Sequence, residues 1–170
     1  MLKAYRERRQ RKGRADRLAR AISDRARATV FYDALGVPDT IDGRFDLVVM
    51  HAWLVLDALT KSGQSEVAQN LVNVLFLQFD LALRDLGVGD MGLGRRMRNM
   101  AEAFYGRLES YRAAGEGHAL ADAILRNVYR GEPGRVESAA RLATYCASAR
   151  AHLAQPLSEG GEADFGALPA

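Results

Sequence analysis

The stretch FDLVVMHAWLVLDALTKSG, residues 45–63, does most to limit what this chain can fold into. Its apolar residues follow one another almost without a polar face, as in a helix buried on several sides at the centre of a bundle. A buried parallel strand can also be a continuous apolar run, but this one extends too far and holds too few turn residues. The most apolar part, Leu47 to Leu56, is closed by Asp46 and Asp57 and falls far short of the ~20 residues that cross a bilayer.

Around this central helix, nearly every long segment shows helical spacing and ends at a glycine. DRARATVFYDALG ends at Gly36, and Pro38 follows in a turn. SEVAQNLVNVLFLQFDLALRDLG opens at Ser65 and ends at Gly87, with Val67, Leu71, Val74, Leu75, Leu81 and Leu86 near helical spacing. Met97, Met100, Ala101, Phe104, Leu108 and Tyr111 share a face of the next helix, which breaks at Gly115. Two more follow, HALADAILRNVYRG and, after Glu132-Pro133-Gly134, RVESAARLATYCASARAHLAQ. There is no alternating strand pattern and no internal repeat. The predicted fold class is all-α, a compact single-domain bundle of about six or seven helices with a basic N-terminal helical arm. The expected divisions are a basic arm over 1–28, a helical body over 29–154, and a flexible, acidic, glycine-rich tail over 155–170.

The net charge of +3 conceals an uneven distribution. Residues 1–27 hold eleven basic residues against Glu7, Asp16 and Asp24, a surplus of eight, so the rest of the chain is acidic by five. The cations Arg6, Arg8, Arg9, Arg11, Lys12, Arg14 and Arg17 point to a phosphate-rich partner, either an anionic membrane surface or RNA. A plain solvated helix is the alternative. No apolar stretch or cleavage site of a secretory signal follows this basic start; an Arg-rich transit peptide is compatible with it, although acidic residues and the lack of early serines count against one. One cysteine, Cys146, excludes an internal disulfide framework and fits a reducing compartment.

Residues 87–92 read GVGDMG and match the GxGxxG pattern of dinucleotide-binding loops. That chemistry needs a strand before the glycines, since the pyrophosphate sits at a strand-to-helix turn; here a helix precedes them. The stretch is read instead as a helix joint, with Gly87 ending one helix and Asp90 accepting from free amides ahead. Arg95, Arg96 and Arg98 would then lie in the first turn of the next helix. The helix dipole disfavours cations there by ~0.3–1 kcal/mol each, which suggests an acidic partner or simple screening by solvent.

Catalytic constellations are scarce. His51 lies on the most buried helix, where a lone histidine reads as a core residue; His118 opens a helix and His152 lies near the end of one. No histidine spacing offers a metal site, and Cys146 lacks a basic activator beside it. The chain is therefore read as a non-enzyme, with no cofactor, no metal and no small-molecule substrate. A helical isoprenoid or quinone enzyme would need carboxylate clusters that are absent. A nucleic-acid-binding or ribosome-associated protein would use the arm, but no helix pair with a basic recognition helix is evident.

The residues Gly36-Val37-Pro38-Asp39-Thr40, Asp42-Gly43-Arg44-Phe45-Asp46-Leu47, His51, GVGDMG and RRMRNMAEAFYGRLESY resemble the ubiquinol–cytochrome c chaperone family over about residues 29–150, in its short bacterial form. Ala103-Phe104-Tyr105-Gly106-Arg107 and Arg126-Asn127-Val128-Tyr129 strengthen the likeness. The resemblance implies an all-helical assembly factor for ubiquinol–cytochrome c reductase that attends newly made cytochrome b or an early assembly intermediate. A small partner protein and contact with the ribosome belong to the same implication. Joined to the residue pattern, it makes Arg95, Arg96, Arg98, Tyr105, Arg107 and Tyr111 the expected client or partner contacts, with the arm on lipid or RNA. Core packing is the alternative for the aromatics. The expected location is cytoplasmic, peripheral at the inner face of the bacterial inner membrane, or else the mitochondrial matrix.

Overall fold

The computed structural model describes residues 2–169, and among them seven α-helices, one 3-10 turn and no strand. The helices are α1 (Leu2–Ala26), α2 (Val30–Asp33), α3 (Ile41–Lys61), α4 (Ser65–Asp85), α5 (Asp90–Ala114), α6 (Gly117–Val128) and α7 (Val136–Ser158). The all-α bundle expected from the periodicity is what forms.

The central run is the middle of the bundle. From Asp46 to Leu56, α3 is buried at every position except Val48, and α1, α4, α5, α6 and α7 all pack against it. Its start is set by Thr40, whose Oγ1 accepts the Gly43 amide at 3.1 Å, an N-cap that begins the helix four residues before Phe45. Gly43 is required there because a Cβ on it would meet the Pro38 carbonyl oxygen. The exposed pair Arg44–Asp39, at 2.7 Å, closes the same turn. The predicted segment 24–36 is not one helix: α1 ends at Ala26, and the four-residue α2 places Phe31 in the core.

Both chain ends pack on the bundle. The C-terminal half of α1 is core, with Ala15, Leu18, Ala19, Ile22 and Ala26 all buried, and it packs on α4 and α3. At the other end, α7 continues through Pro156 to Ser158, and the chain then turns back as a strap over the bundle. Phe165 is buried with its ring 5.3 Å from that of His51. Arg25 of α1 donates to the carbonyls of Gly166 and Ala167 at 2.9 and 2.7 Å, and Arg17 pairs with Glu162 at 2.7 Å. The acidic C-terminal segment is thus stitched to the basic N-terminal helix.

Candidate client-binding surface

The interior uses its ionisable groups as structural ties. Asp46 is wholly buried on α3, and its carboxylate oxygens lie 2.8 Å from Arg107 Nε of α5 and 2.8 Å from Arg130 Nη1 after α6. Arg130 takes a left-handed φ of 55°, which only a turn under local constraint holds in a non-glycine residue. Burial raises the Asp46 carboxyl above its usual value and outweighs the two guanidiniums, which pull it down. Asp57 of the same helix joins Arg150 of α7 at 3.0 Å and Lys61 at 2.8 Å, with the Arg150 guanidinium over the Trp53 ring.

His51 is equally committed. Its Nδ1–H donates to the Leu47 carbonyl at 2.7 Å, and Nε2 accepts from the Tyr145 hydroxyl at 2.9 Å, which in turn accepts from Arg25 Nε. Burial lowers its pKa to about 4, so the ring is neutral. Cys146 is buried and its thiol is pushed up to about 12, the setting of an inert thiol. Among the described residues no group of three or more His, Cys, Asp or Glu side chains could hold a metal ion.

The residues expected to meet a partner divide sharply. Arg95, Arg96 and Arg98 are exposed, and among the described residues none of them has a carboxylate within ion-pair distance. They lie beyond the first turn of α5, because the helix begins at Asp90; that carboxylate takes the dipole-favoured place and pairs with Arg84 at 3.1 Å. Tyr105 is half exposed, its ring stacked on Phe76 with centroids 6.1 Å apart. Tyr111 is a correction: it is completely buried against Trp53, because the apolar face of α5 carries it inward with Phe104 and Leu108. Arg107 is also turned inward, held by Asp46 and lying over the Phe45 ring, so it shapes the surface from beneath.

The basic arm divides into two rows. Arg11 pairs with Glu66, Arg14 donates to Gln64 and to the Leu157 carbonyl, and Arg17 pairs with Glu162, so the inner row binds α1 to the body. Arg6, Arg9 and Lys12 form an exposed outer row. The Arg8 side chain lies outside the described residues.

What sequence reasoning missed is the shape beside α5. The end of α1, the start of α3 and the end of α4 leave an open groove of about 420 Å³ floored by Phe45, Val48, Phe79 and Leu83. A second hollow of about 310 Å³ continues it towards α5 and reaches Arg96, sharing Ile41, Phe45, Leu83 and Met100 with the first. Ile41 and Leu86 line this groove while more than half exposed. Leu81 and Leu86, which lie near helical spacing with Val67, Leu71 and Leu75 in the sequence, are both exposed.

The molecule is thus a single-domain helical protein whose buried charges are spent on structural ties and whose surface offers an apolar groove beside exposed arginines. Comparison with known proteins narrows the class. The sequence profile of the ubiquinol–cytochrome C chaperone family matches residues 33–159, most of the chain, and the chain belongs to that family. Ubiquinol-cytochrome-c reductase complex assembly factor 1 of Xenopus laevis is 24% identical over 102 residues, which cover 58% of this chain and 51% of that one. The chain thus spans about half the length of that curated relative. The fold is similar to the crystal structure of the Cbp3 homolog from Brucella abortus, with a TM-score of 0.79 and 29% identity over 96% of this chain and 97% of that one. Among the described residues no helix is long and apolar enough to cross a membrane.

Proposed function

We propose that this protein is a non-enzymatic assembly chaperone for ubiquinol–cytochrome c reductase, which binds newly made cytochrome b or an early assembly intermediate and supports its maturation. The observation that carries the reading is the exposed trio Arg95, Arg96 and Arg98, without ion-pair partners among the described residues and with Arg96 lining an open apolar groove, in a chain of this family. Tyr105 adds contact area to the same helix, as interface aromatics do. The non-enzymatic part is supported by His51, Asp46 and Cys146, each buried, and the first two tied to structural partners. The outer row of α1 supplies peripheral attachment to anionic lipid at the cytoplasmic face of the bacterial inner membrane, or to ribosomal RNA during synthesis of the client. The same attachment would serve on the inner face of a mitochondrial membrane, and a small partner protein can share the surface.

Deletion of the gene, followed by reduced-minus-oxidised spectra of the membranes, tests this. Loss of b-type cytochrome, restored by wild type and not by Arg95→Glu/Arg96→Glu/Arg98→Glu protein, is the expected result; unchanged cytochromes on deletion refute the assembly role. Flotation with anionic vesicles against sedimentation with ribosomes decides what Arg6→Glu/Arg9→Glu/Lys12→Glu disrupts. Binding to nucleic acid alone, with no effect on cytochromes, would favour a ribosome-associated or nucleic-acid-binding function instead.

A further inference from the structure

We propose that the continuous groove between α3, α4 and α5 holds an amphipathic helical segment of another protein, its apolar face on Phe45, Leu83 and Met100 and its acidic end on Arg96. The inference rests on the assembly reading and names the form of partner that reading leaves open.

The two hollows are one feature, because Ile41, Phe45, Leu83 and Met100 line both. Their combined floor is apolar, and Ile41 and Leu86 present apolar side chains to solvent at its edge. A helix laid into an apolar groove buries a stripe at i, i+3, i+4 and i+7, which a floor drawn from three helices can accept. Charge supplies the direction. At the far end of the groove Arg27 and Arg44 already have carboxylate neighbours in Asp24 and Asp39, at 3.7 and 2.7 Å. At the α5 end Arg96 lines the hollow and has no carboxylate partner among the described residues. Arg107 and Arg130 line that end too, both drawn to the buried carboxylate of Asp46, and with Asp42 as the other carboxylate there the three cations still outnumber the two anions. An incoming acidic end is therefore favoured on one side only, and the bound segment has a polarity.

The α5 lip is also locally adaptable. Gly92 and Gly94 lie within the first two turns, and Gly89 in the N-cap place offers no side-chain cap, so this helix start is weakly held. Lengthening a side chain at Gly94 meets nothing within 4 Å, so packing does not demand glycine there. A lip that yields can follow the register of differing apolar segments, as binders of varied partners do.

The test uses two fluorescein-labelled peptides of about 18 residues, five helical turns. Both carry leucines at i, i+3, i+4 and i+7; one ends in three glutamates and the other in three lysines. Fluorescence anisotropy with the full-length protein should show the glutamate peptide binding at least about tenfold more tightly than the lysine peptide, with the difference shrinking in high salt. Ile41→Asp should abolish binding of both, and Arg96→Glu should reverse the preference; both side chains are exposed, and circular dichroism with the melting temperature verifies that each variant is folded. Binding of neither peptide overturns the inference, as does equal binding of both or binding that Ile41→Asp leaves intact. Sedimentation showing the groove closed by a second copy, or groove-dependent binding to phosphatidylglycerol vesicles alone, overturns it too. Should the peptides fail while deletion still removes b-type cytochrome, the groove inference falls and the assembly reading stands; peptide binding with unchanged cytochromes means the reverse.

Discussion

Removing Arg107 separates a structural role for this residue from the surface role its sequence context suggests. Arg107→Ala leaves the Asp46 carboxylate wholly buried, with only Arg130 in contact, and Arg130 is itself about half exposed. Breaking a buried pair from one side costs about 3–5 kcal/mol, because the remaining charge keeps its desolvation penalty without its partner. Arg130→Ala should cost only about 1 kcal/mol or less, since water already competes for its guanidinium. The sign of the pH dependence follows from Asp46. Its folded pKa is already raised by burial, and loss of Arg107 raises it further, so the variant's deficit relative to wild type opens as pH rises and closes on acidification. The slope can reach about 1.4 kcal/mol per pH unit over the interval where the variant's Asp46 is protonated and that of the wild type is not. Urea unfolding followed by Trp53, the single tryptophan, reads this directly between pH 5 and 8. A deficit below about 1 kcal/mol, or one flat in pH, would refute the reasoning and return Arg107 to the surface.

Three further outcomes follow from the same contacts. His51, lowered from 6.5 to about 4, holds the fold only while neutral, so wild type should lose about 3 kcal/mol as pH falls from 6.5 to 4. A His51→Gln variant, compared by urea unfolding across that range, should lack this contribution. Phe165→Ala should destabilise by about 2–3 kcal/mol, less than the ~3–5 of a central phenylalanine because the strap can detach without opening a cavity; hydrogen exchange should then rise over residues 159–169. Gly94→Ala should raise stability by about 0.5–1 kcal/mol in thermal melts, having an exposed helical position and free space for the methyl group.

The match and mismatch between sequence and structure fall along a physical line. Helical periodicity, glycine stops and the absence of alternation are local properties, so the all-α class and the buried central helix were readable from residues 45–63 and their neighbours. The family likeness was readable for a similar reason, since tracts such as GVGDMG and AFYGR stand contiguous in the chain. Helix starts were less legible. Thr40 and Gly43 carry a capping signal that the apolar run at Phe45 overshadowed, and Asp90, read as accepting from the free amides ahead, is instead the first residue of α5 with Gly89 in the N-cap place.

Partnering was beyond local reading. Arg107 and Arg95 are both arginines on one helix, and nothing near either shows that the first meets a carboxylate 61 positions earlier while the second meets none. Tyr111 differs from Tyr105 in a way that spacing does show, since it shares the apolar stripe of α5 with Phe104 and Leu108 and is buried with them. The residues of a helix determine that it forms and which stripe is apolar, because those depend on spacing within a few turns. Which cations are spent inside, that the acidic C-terminal strap covers His51, and that α3, α4 and α5 leave a groove open were decided only by tertiary structure. Each depends on distances between segments far apart in the chain, and burial changes the energy of a charge more than its identity does.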